Sequence, residues 1–446
     1  MPDENSLAGR VRRYAQVSTA VGGLAARLAG ERYLGIGVNR EVHAADLKAA
    51  LGGLKGPLMK VAQILSSIPD ALPKEYVQEL AQLQANAPAM GWPFVKRRMM
   101  GELGPNWQSR FRSFEQVAAR AASLGQVHRA VSPEGRALAC KLQYPDMTSA
   151  MEADLSQLKL ILSLFERYDS AIATNEIFAE LSERLREELD YGREAQNMAL
   201  YRLMLAGEAG VHVPETLDDL STRRLLTMTW IEGAPIASFD AAPIEIRNAL
   251  AMNVFRAWYR PFYGYGVIHG DPHFGNYTVR PDHSINLLDF GCIRVFHARF
   301  VGAVIDLYKA LMTDDDELAV HAYTVWGFKN LSREMIEALN IWARFLYAPV
   351  MDNRRRKVDE AGTGNYGREQ VQKVHGELKR LGGITPPREF VFMDRAAVGL
   401  GALFLRLKAD INWYEMFHTL IDGFDVTAME QRQGRALTET GLTLPL

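Results

Sequence analysis

The sequence predicts an α+β fold in two lobes, mostly helical, with a helical extension at its N-terminus. Three observations predict it. Helix-period patterning dominates from residue 9 to about 103, returns between 149 and 200, and fills nearly everything after Phe300. Strand-like patterning is confined to short stretches, chiefly residues 118–143 and 224–233. Finally, the run His269-Gly270-Asp271-Pro272-His273-Phe274-Gly275-Asn276 is followed, after an apolar strand-like run at 285–288, by Asp289-Phe290-Gly291.

A chain of 446 residues exceeds the usual size of one hydrophobic core, so several packed units are expected. The patterning divides them into a helical extension at 1–104, a small lobe at 105–232 with a helical insertion at about 149–186, and a large helical lobe at 233–446. With 48% apolar and 23% charged residues the chain reads as an ordinary globular protein. A net charge of −2 argues against nucleic acid as a partner, since phosphate backbones call for clustered excess Lys and Arg. The short basic clusters at 10–13, 96–98 and 354–357 read as solvated helix faces. Cys140 and Cys292 both sit in apolar contexts, which suits small hydrophobes in a reducing compartment and forms no zinc pattern. No secretory signal and no run of about eighteen uncharged apolar residues is present. Residues 391–407 come nearest, but Asp394, Arg395 and Arg406 make that stretch a buried helix with ion pairing. The expected location is therefore cytoplasmic, without a transmembrane helix.

Taken in order, residues 11–28 read as a helix with Val, Ala and Leu on one side and Arg on another, which could lie peripherally on the inner face of an anionic membrane, although its glycines and alanines weaken the apolar face and favour packing on the body of the protein. Lys60 and Gln63 lie one turn apart on an amphipathic helix, and composition says no more of them. Residues 118–130 and 137–143 form a hairpin turning at Pro133, Glu134 and Gly135. Lys141 falls in its second, apolar strand, downstream of Gly125. In kinase-like small lobes a loop covers the phosphates and one strand lysine reaches them in this way. A half-buried lysine requires a carboxylate, and Glu188, Asp190 and Glu194 are candidates on a helical stretch at 177–200, the last two sharing a face. The apolar strand at 224–233, with Thr229 and Trp230, has the character of a linker whose backbone meets an adenine edge. Residues 244–265 form an amphipathic helix leading into the His269 motif, and 353–370, with its three glycines, reads as a mobile loop.

The motif's chemistry follows from how magnesium is held. The ion takes oxygen ligands in near-octahedral geometry and keeps several waters, so one or two protein oxygens plus substrate phosphates suffice. Asn276 and Asp289 supply such oxygens. Asp271, on the same loop, would orient a nucleophile, because phosphoryl transfer depends on positioning and charge neutralisation. Either motif alone could be an ordinary turn or strand end. Their joint occurrence, in this order, favours a metal-nucleotide site.

With these residues in hand the chain resembles the UbiB family of atypical kinases, associated with ubiquinone and isoprenoid-lipid metabolism. The resemblance runs from about Lys55 to Met416 and rests on Lys60-Val61-Ala62-Gln63, the alanine-rich loop at Ala121-Ala122-Ser123, Glu188-Leu189-Asp190, the two motifs above, and residues 390–413. It implies a protein-kinase-like two-lobed fold with the N-terminal extension packed over the active site. It further implies ATP or ADP with Mg2+ as cofactors, Lys141 on the phosphates with Glu194 as its partner, Asp271 as the catalytic-loop acid, and Asn276 and Asp289 as metal ligands. Lys60 and Gln63 would meet Glu188 and Asp190 where a protein kinase admits a peptide, favouring ATPase or small-molecule chemistry. Isoprenoid quinone precursors or lipid, and other quinone-biosynthesis proteins, are the implied partners. The chain departs from the family pattern in having Ala62 for a glycine and Arg120 where alanine is common, and in lacking the C-terminal membrane helices of many relatives.

Two other functions share part of these features. Small-molecule phosphotransferases of the aminoglycoside and choline kinase type carry similar motifs, although Lys60–Gln63 and Glu188–Asp190 argue against them. The second is a nucleotide-binding scaffold or lipid chaperone whose chemistry is vestigial; the presence of Lys141, Glu194, Asp271, Asn276 and Asp289 weighs against loss of metal binding and is compatible with slow or absent turnover.

Overall fold

The computed structural model describes residues 90–444, apart from 123, 146, 150, 153–154, 157–158, 160–173, 330, 361–372, 375, 378–379 and 382–386. The expectations for the N-terminal extension, including Lys60, Ala62 and Gln63, for Ser123, and for most of the glycine-containing loop lie outside the described residues. The described chain forms two compact units. One takes in the described residues up to Arg193 with Leu217–Trp230, the other Glu194–Thr216 with Ile231 onward.

The first unit is built on an antiparallel sheet with strand order Ser113–Phe114, Gly125–Val131, Ala137–Gln143, Leu225–Thr229, to which Arg120–Ala122 adds on Gly125–Val131. The hairpin at its centre turns where the sequence places it, with Gly135 at φ 90° and its N–H donating to the Ser132 carbonyl. Helix Trp92–Leu103 buries Val95 and Met99 in a core with Trp107, Leu138 and Leu142. Cys140 is fully enclosed there; burial pushes its thiol up to about 12, so it behaves as the small hydrophobe expected. His128, also fully buried, accepts from Gln126 Nε2 at 2.7 Å and donates from Nδ1 to the Glu115 carbonyl at 2.8 Å. Because an amide Nε2 can only donate, Nε2 of His128 is the acceptor. Burial holds its pKa below the usual value.

One expected helix is two. The stretch read as continuous over 177–200 comprises helices Thr174–Glu188 and Tyr191–Met204. Asp190 separates them, its Oδ1 accepting from the backbone N–H groups of Gly192 (3.1 Å) and Arg193 (3.2 Å), as an N-capping aspartate does. Asp190 therefore does not share a helix face with Glu194. The 354–357 cluster is likewise not a helix face: Arg354 and Arg356 are ion-paired to Glu360 at 2.7 and 3.0 Å in irregular chain.

The second unit contains a small sheet, Val211–His212, Ile285–Leu287, Tyr277–Val279 and Ala234–Pro235 in that order, and a separate antiparallel pair, Val267–His269 with Ile293–Val295. Helix Ile244–Tyr265 matches the sequence reading to the residue and buries Leu250, Val254, Phe255, Trp258 and Phe262. Helices Ala298–Thr313, Arg388–Leu407, Trp413–Ile421 and Val426–Glu439 pack against it. No helix among the described residues is long and apolar enough to cross a membrane. In helix Arg388–Leu407, Arg406 is ion-paired to Asp240 at 2.6 Å. Asp394, expected to be ion-paired, instead accepts a hydrogen bond from Trp342 Nε1 at 2.6 Å.

Candidate active site

The His269 motif is shaped by bonds within the second unit. Strand Val267–His269 is buried throughout and pairs His269 with Ile293. His269, with no exposed surface, accepts from the backbone N–H of Asp271 at Nδ1 (3.2 Å), and its Nε2 lies 2.6 Å from the carbonyl oxygen of Asp289. A backbone N–H only donates, so Nδ1 is the acceptor and Nε2 carries the proton given to the carbonyl. One buried imidazole thus ties the loop bearing Asp271 to the loop bearing Asp289. Trp258, Tyr201 and Phe290 pack around it, with ring centroids 5.6–6.2 Å away.

Asn276 ends a short 3₁₀ turn, Phe274–Asn276, capped by His273, whose side chain accepts from the Gly275 N–H. Its Nδ2 donates to the carbonyl oxygen of Asp271 at 2.9 Å, so Oδ1 is the atom Asn276 can offer a cation. Its own carbonyl accepts from the Leu288 N–H at 3.0 Å, fastening the turn to the run that delivers Asp289. Asp289 is half-buried, with Oδ1 accepting from the Gly291 N–H at 2.9 Å. Two hard oxygen donors presented in this way fit magnesium, which needs few protein ligands. Among the described residues no cluster of three or more His, Cys, Asp or Glu side chains suits a metal, so zinc-like coordination has no donors there.

Asn197, absent from the sequence-level candidates, completes the brace. From helix Tyr191–Met204 its Nδ2 donates to the Phe290 carbonyl at 2.9 Å, while Phe290 itself is fully buried against Tyr201. A buried asparagine one turn after Glu194 was the available signal; its partner, far along the chain, was not.

In the first unit, Lys141 is half-buried in strand Ala137–Gln143, between Val127 and Leu226 on the neighbouring strands, with Nζ 5.1 Å from the Tyr191 ring centroid. Ala121 and Ala122 form the strand that pairs back on Gly125 and Gln126, so the alanine-rich loop is the tip of a hairpin. Gly125 is required there: a Cβ would lie 2.1 Å from the Leu142 carbonyl oxygen. Asp190 caps a helix and lies 3.4 Å from Arg223; Glu188 ends the preceding helix. Thr229 pairs with Leu138, and the Trp230 N–H donates to the Ala137 carbonyl at 2.9 Å. Glu194, buried in the first turn of its helix, belongs to the second unit, and Lys141 to the first.

Residues 82–323, more than half of the chain, match the family model described as the ABC1 atypical kinase-like domain. The chain belongs to this family of atypical kinases, the UbiB family. Among curated members, it is 24% identical over 396 residues to the mitochondrial atypical kinase coq-8 of Caenorhabditis elegans, covering 86% of this chain and 51% of that one. It is 30% identical over 250 residues to mitochondrial COQ8 of Saccharomyces cerevisiae, covering 56% and 50%. To mitochondrial COQ8B of Rattus norvegicus it is 28% identical over 387 residues, covering 84% and 71%. The chain thus spans about half the length of the first two of these UbiB relatives. Among solved structures, the erythromycin complex of Rv3197 from Mycobacterium tuberculosis is similar, with 27% identity, a TM-score of 0.60, and coverage of 84% of this chain and 94% of that one. The kinase-like fold, with mixed helices and sheets, is that of the family.

Proposed function

We propose that this UbiB member is an ATP-binding, magnesium-dependent atypical kinase or ATPase that supports ubiquinone or other isoprenoid-lipid metabolism. The observation that carries the reading is the His269 brace, with Asp271, Asn276 and Asp289 set around one buried ring. Asn276 Oδ1 and the Asp289 carboxylate hold the magnesium, which when bound neutralises phosphate charge. The Asp271 carboxylate orients the attacking hydroxyl or water and accepts its proton. Lys141 contacts nucleotide phosphates and takes Glu194 as its carboxylate partner, while the hairpin tip at Ala121, Ala122, Ser123 and Gly125 covers them. Backbone groups at Thr229 and Trp230 meet the base. Lys60 and Gln63 close the site against Glu188 and Asp190, which keeps peptides out and leaves a small molecule, an isoprenoid quinone precursor or lipid, or water as the acceptor. Contact with a membrane is peripheral, through the N-terminal helix.

The test is thermal stabilisation by ATP with magnesium, in the wild-type chain and in Asp289→Asn, with phosphate release measured in the presence and absence of vesicles and quinone-precursor mimics. Stabilisation that disappears in the variant, with turnover stimulated by lipid or mimic, is the expected result. Undiminished stabilisation in the variant overturns the metal assignment. Nucleotide binding without turnover under every condition favours a scaffold instead.

A further inference from the structure

The second unit encloses a cavity of about 100 Å³, separate from the Asp271 and Asp289 carboxylates. Its walls come from six helices and are rich in aromatic rings: Trp258 and Tyr263 from helix Ile244–Tyr265, Tyr323 and Trp326 from the neighbourhood of helix Asp316–Val325, Trp342 from helix Arg333–Tyr347, and Phe417 from helix Trp413–Ile421, with aliphatic residues from helices Ala298–Thr313 and Arg388–Leu407. Among the described lining residues none is basic, and only one carries a carboxyl group, Asp394 of helix Arg388–Leu407. Core cavities are normally closed by apolar side chains, because a carboxylate withdrawn from water without a cation is costly. Among the described residues Asp394 has instead one neutral donor, Trp342 Nε1, at 2.6 Å.

We propose that this cavity binds a small organic cation: an amine carrying one aromatic ring or a short alkyl chain, its ammonium against Asp394 and its apolar body among the rings. Charge and shape both select this occupant. An aromatic cage offers the negative faces of its rings to a cation, and the single acidic group gives the site its sign. The volume is on the order of one aromatic ring. The other titratable groups lining the cavity are tyrosines. Burial raises the ionisation of Tyr259 and Tyr263 on helix Ile244–Tyr265, of Tyr323, and of Tyr347, so they remain neutral. Arg344, on the same helix as Trp342, is turned to the Leu311 carbonyl and Asp314. Ile268 also lines the cavity, one residue before His269, and a Cβ on Gly399 of the Asp394 helix would lie 2.4 Å from Pro272 Cγ. The cavity therefore backs directly onto the loop that bears Asp271.

The experiment uses the whole chain and three matched probes: 2-phenylethylamine as its cation, 2-phenylethanol and phenylacetate. Binding is followed by tryptophan fluorescence and by thermal shift at about pH 7.5. The ammonium is expected to bind at least about tenfold more tightly than the alcohol, with phenylacetate weakest. Asp394→Asn, which retains an acceptor for Trp342, is expected to erase that preference, and Ala397→Phe, which fills the cavity but keeps the carboxylate, to weaken the ammonium and the alcohol alike. Lowering the pH towards 5 protonates the carboxyl group and is expected to weaken the ammonium selectively. Equal binding of ammonium and alcohol overturns the proposal. So does failure of all three probes to bind up to their solubility limits, a preference that survives Asp394→Asn, or full affinity in Ala397→Phe.

Discussion

Replacing Asp394 by Asn is expected to stabilise the ligand-free protein, and only at pH values where the aspartate of the unfolded chain is ionised. Burial pushes the Asp394 carboxyl up from 3.8 to about 6, and the Trp342 hydrogen bond recovers only part of that penalty. In the unfolded chain the same group loses its proton near 3.9. Between these values the unfolded chain is ionised while the native one holds its proton, so the native state binds more protons and stability falls as pH rises. A difference of about 2 pH units corresponds to about 3 kcal/mol of stability lost between about pH 4 and pH 6. Asparagine keeps the volume and the acceptor for Trp342 but carries no charge. Asp394→Asn should therefore match the wild type at about pH 4 and exceed it by about 2–3 kcal/mol above about pH 7. Urea titrations of both proteins, followed by tryptophan fluorescence from about pH 4 to pH 8, measure the difference. Using the difference also removes His128, which works in the opposite sense. Its pKa is lowered by burial, so its contribution is present above about 6.5 and lost as pH falls. A gap between variant and wild type that is the same at pH 4 and pH 8, or a wild type more stable than the variant at pH 8, would refute the reasoning.

Asp271→Asn should leave nucleotide binding intact while turnover drops by about 10²–10⁴-fold, as measured by phosphate release against thermal shift with ATP and magnesium. Asn197→Ala should cost about 1–3 kcal/mol, because it leaves the buried Phe290 carbonyl without its donor, and it should weaken magnesium-dependent stabilisation by ATP; denaturant titration and thermal shift read the two effects. Gly125→Ala sets a methyl 2.1 Å from the Leu142 carbonyl oxygen and should destabilise the first unit by about 1–3 kcal/mol, with hydrogen exchange across strand Ala137–Gln143 accelerated while exchange in helix Ile244–Tyr265 stays unchanged.

The parts of the fold that were legible in the sequence are those decided by local chemistry. Helix Ile244–Tyr265 shows a sustained period and stops at Gly266, and the hairpin around Lys141 announces its turn with Pro133 and Gly135. The division at Asp190 was hidden because apolar residues recur at helical spacing up to it, at Leu181, Leu185 and Leu189, while the break is made by one side chain folding onto the backbone two residues ahead. Asp289 and Asn276 stood out because the two motifs that carry them occur together and in order, although either alone could be an ordinary turn. Asn197 and Trp342 did not, since each matters only through a partner brought near by folding, the Phe290 carbonyl and Asp394. Asp394 was visible as an interruption in an apolar helix. Whether a cation, a donor or a cavity would answer it could be decided only in three dimensions.

The brace also separates two kinds of mutational effect. The bonds that shape the Asp271 and Asp289 loops come from His269, Asn276 and Asn197, all in the second unit. Lys141 and the alanine-rich hairpin take their positions from strand pairing in the first unit. A substitution that weakens the first sheet is therefore expected to displace Lys141 and the alanine-rich hairpin and to leave the bonds around His269 intact, whereas loss of the His269 ring releases the Asp271 and Asp289 loops together. A residue that sets two functional carboxylates through one side chain makes their losses non-additive: once His269 is gone, removing either carboxylate costs less than it does in the intact protein.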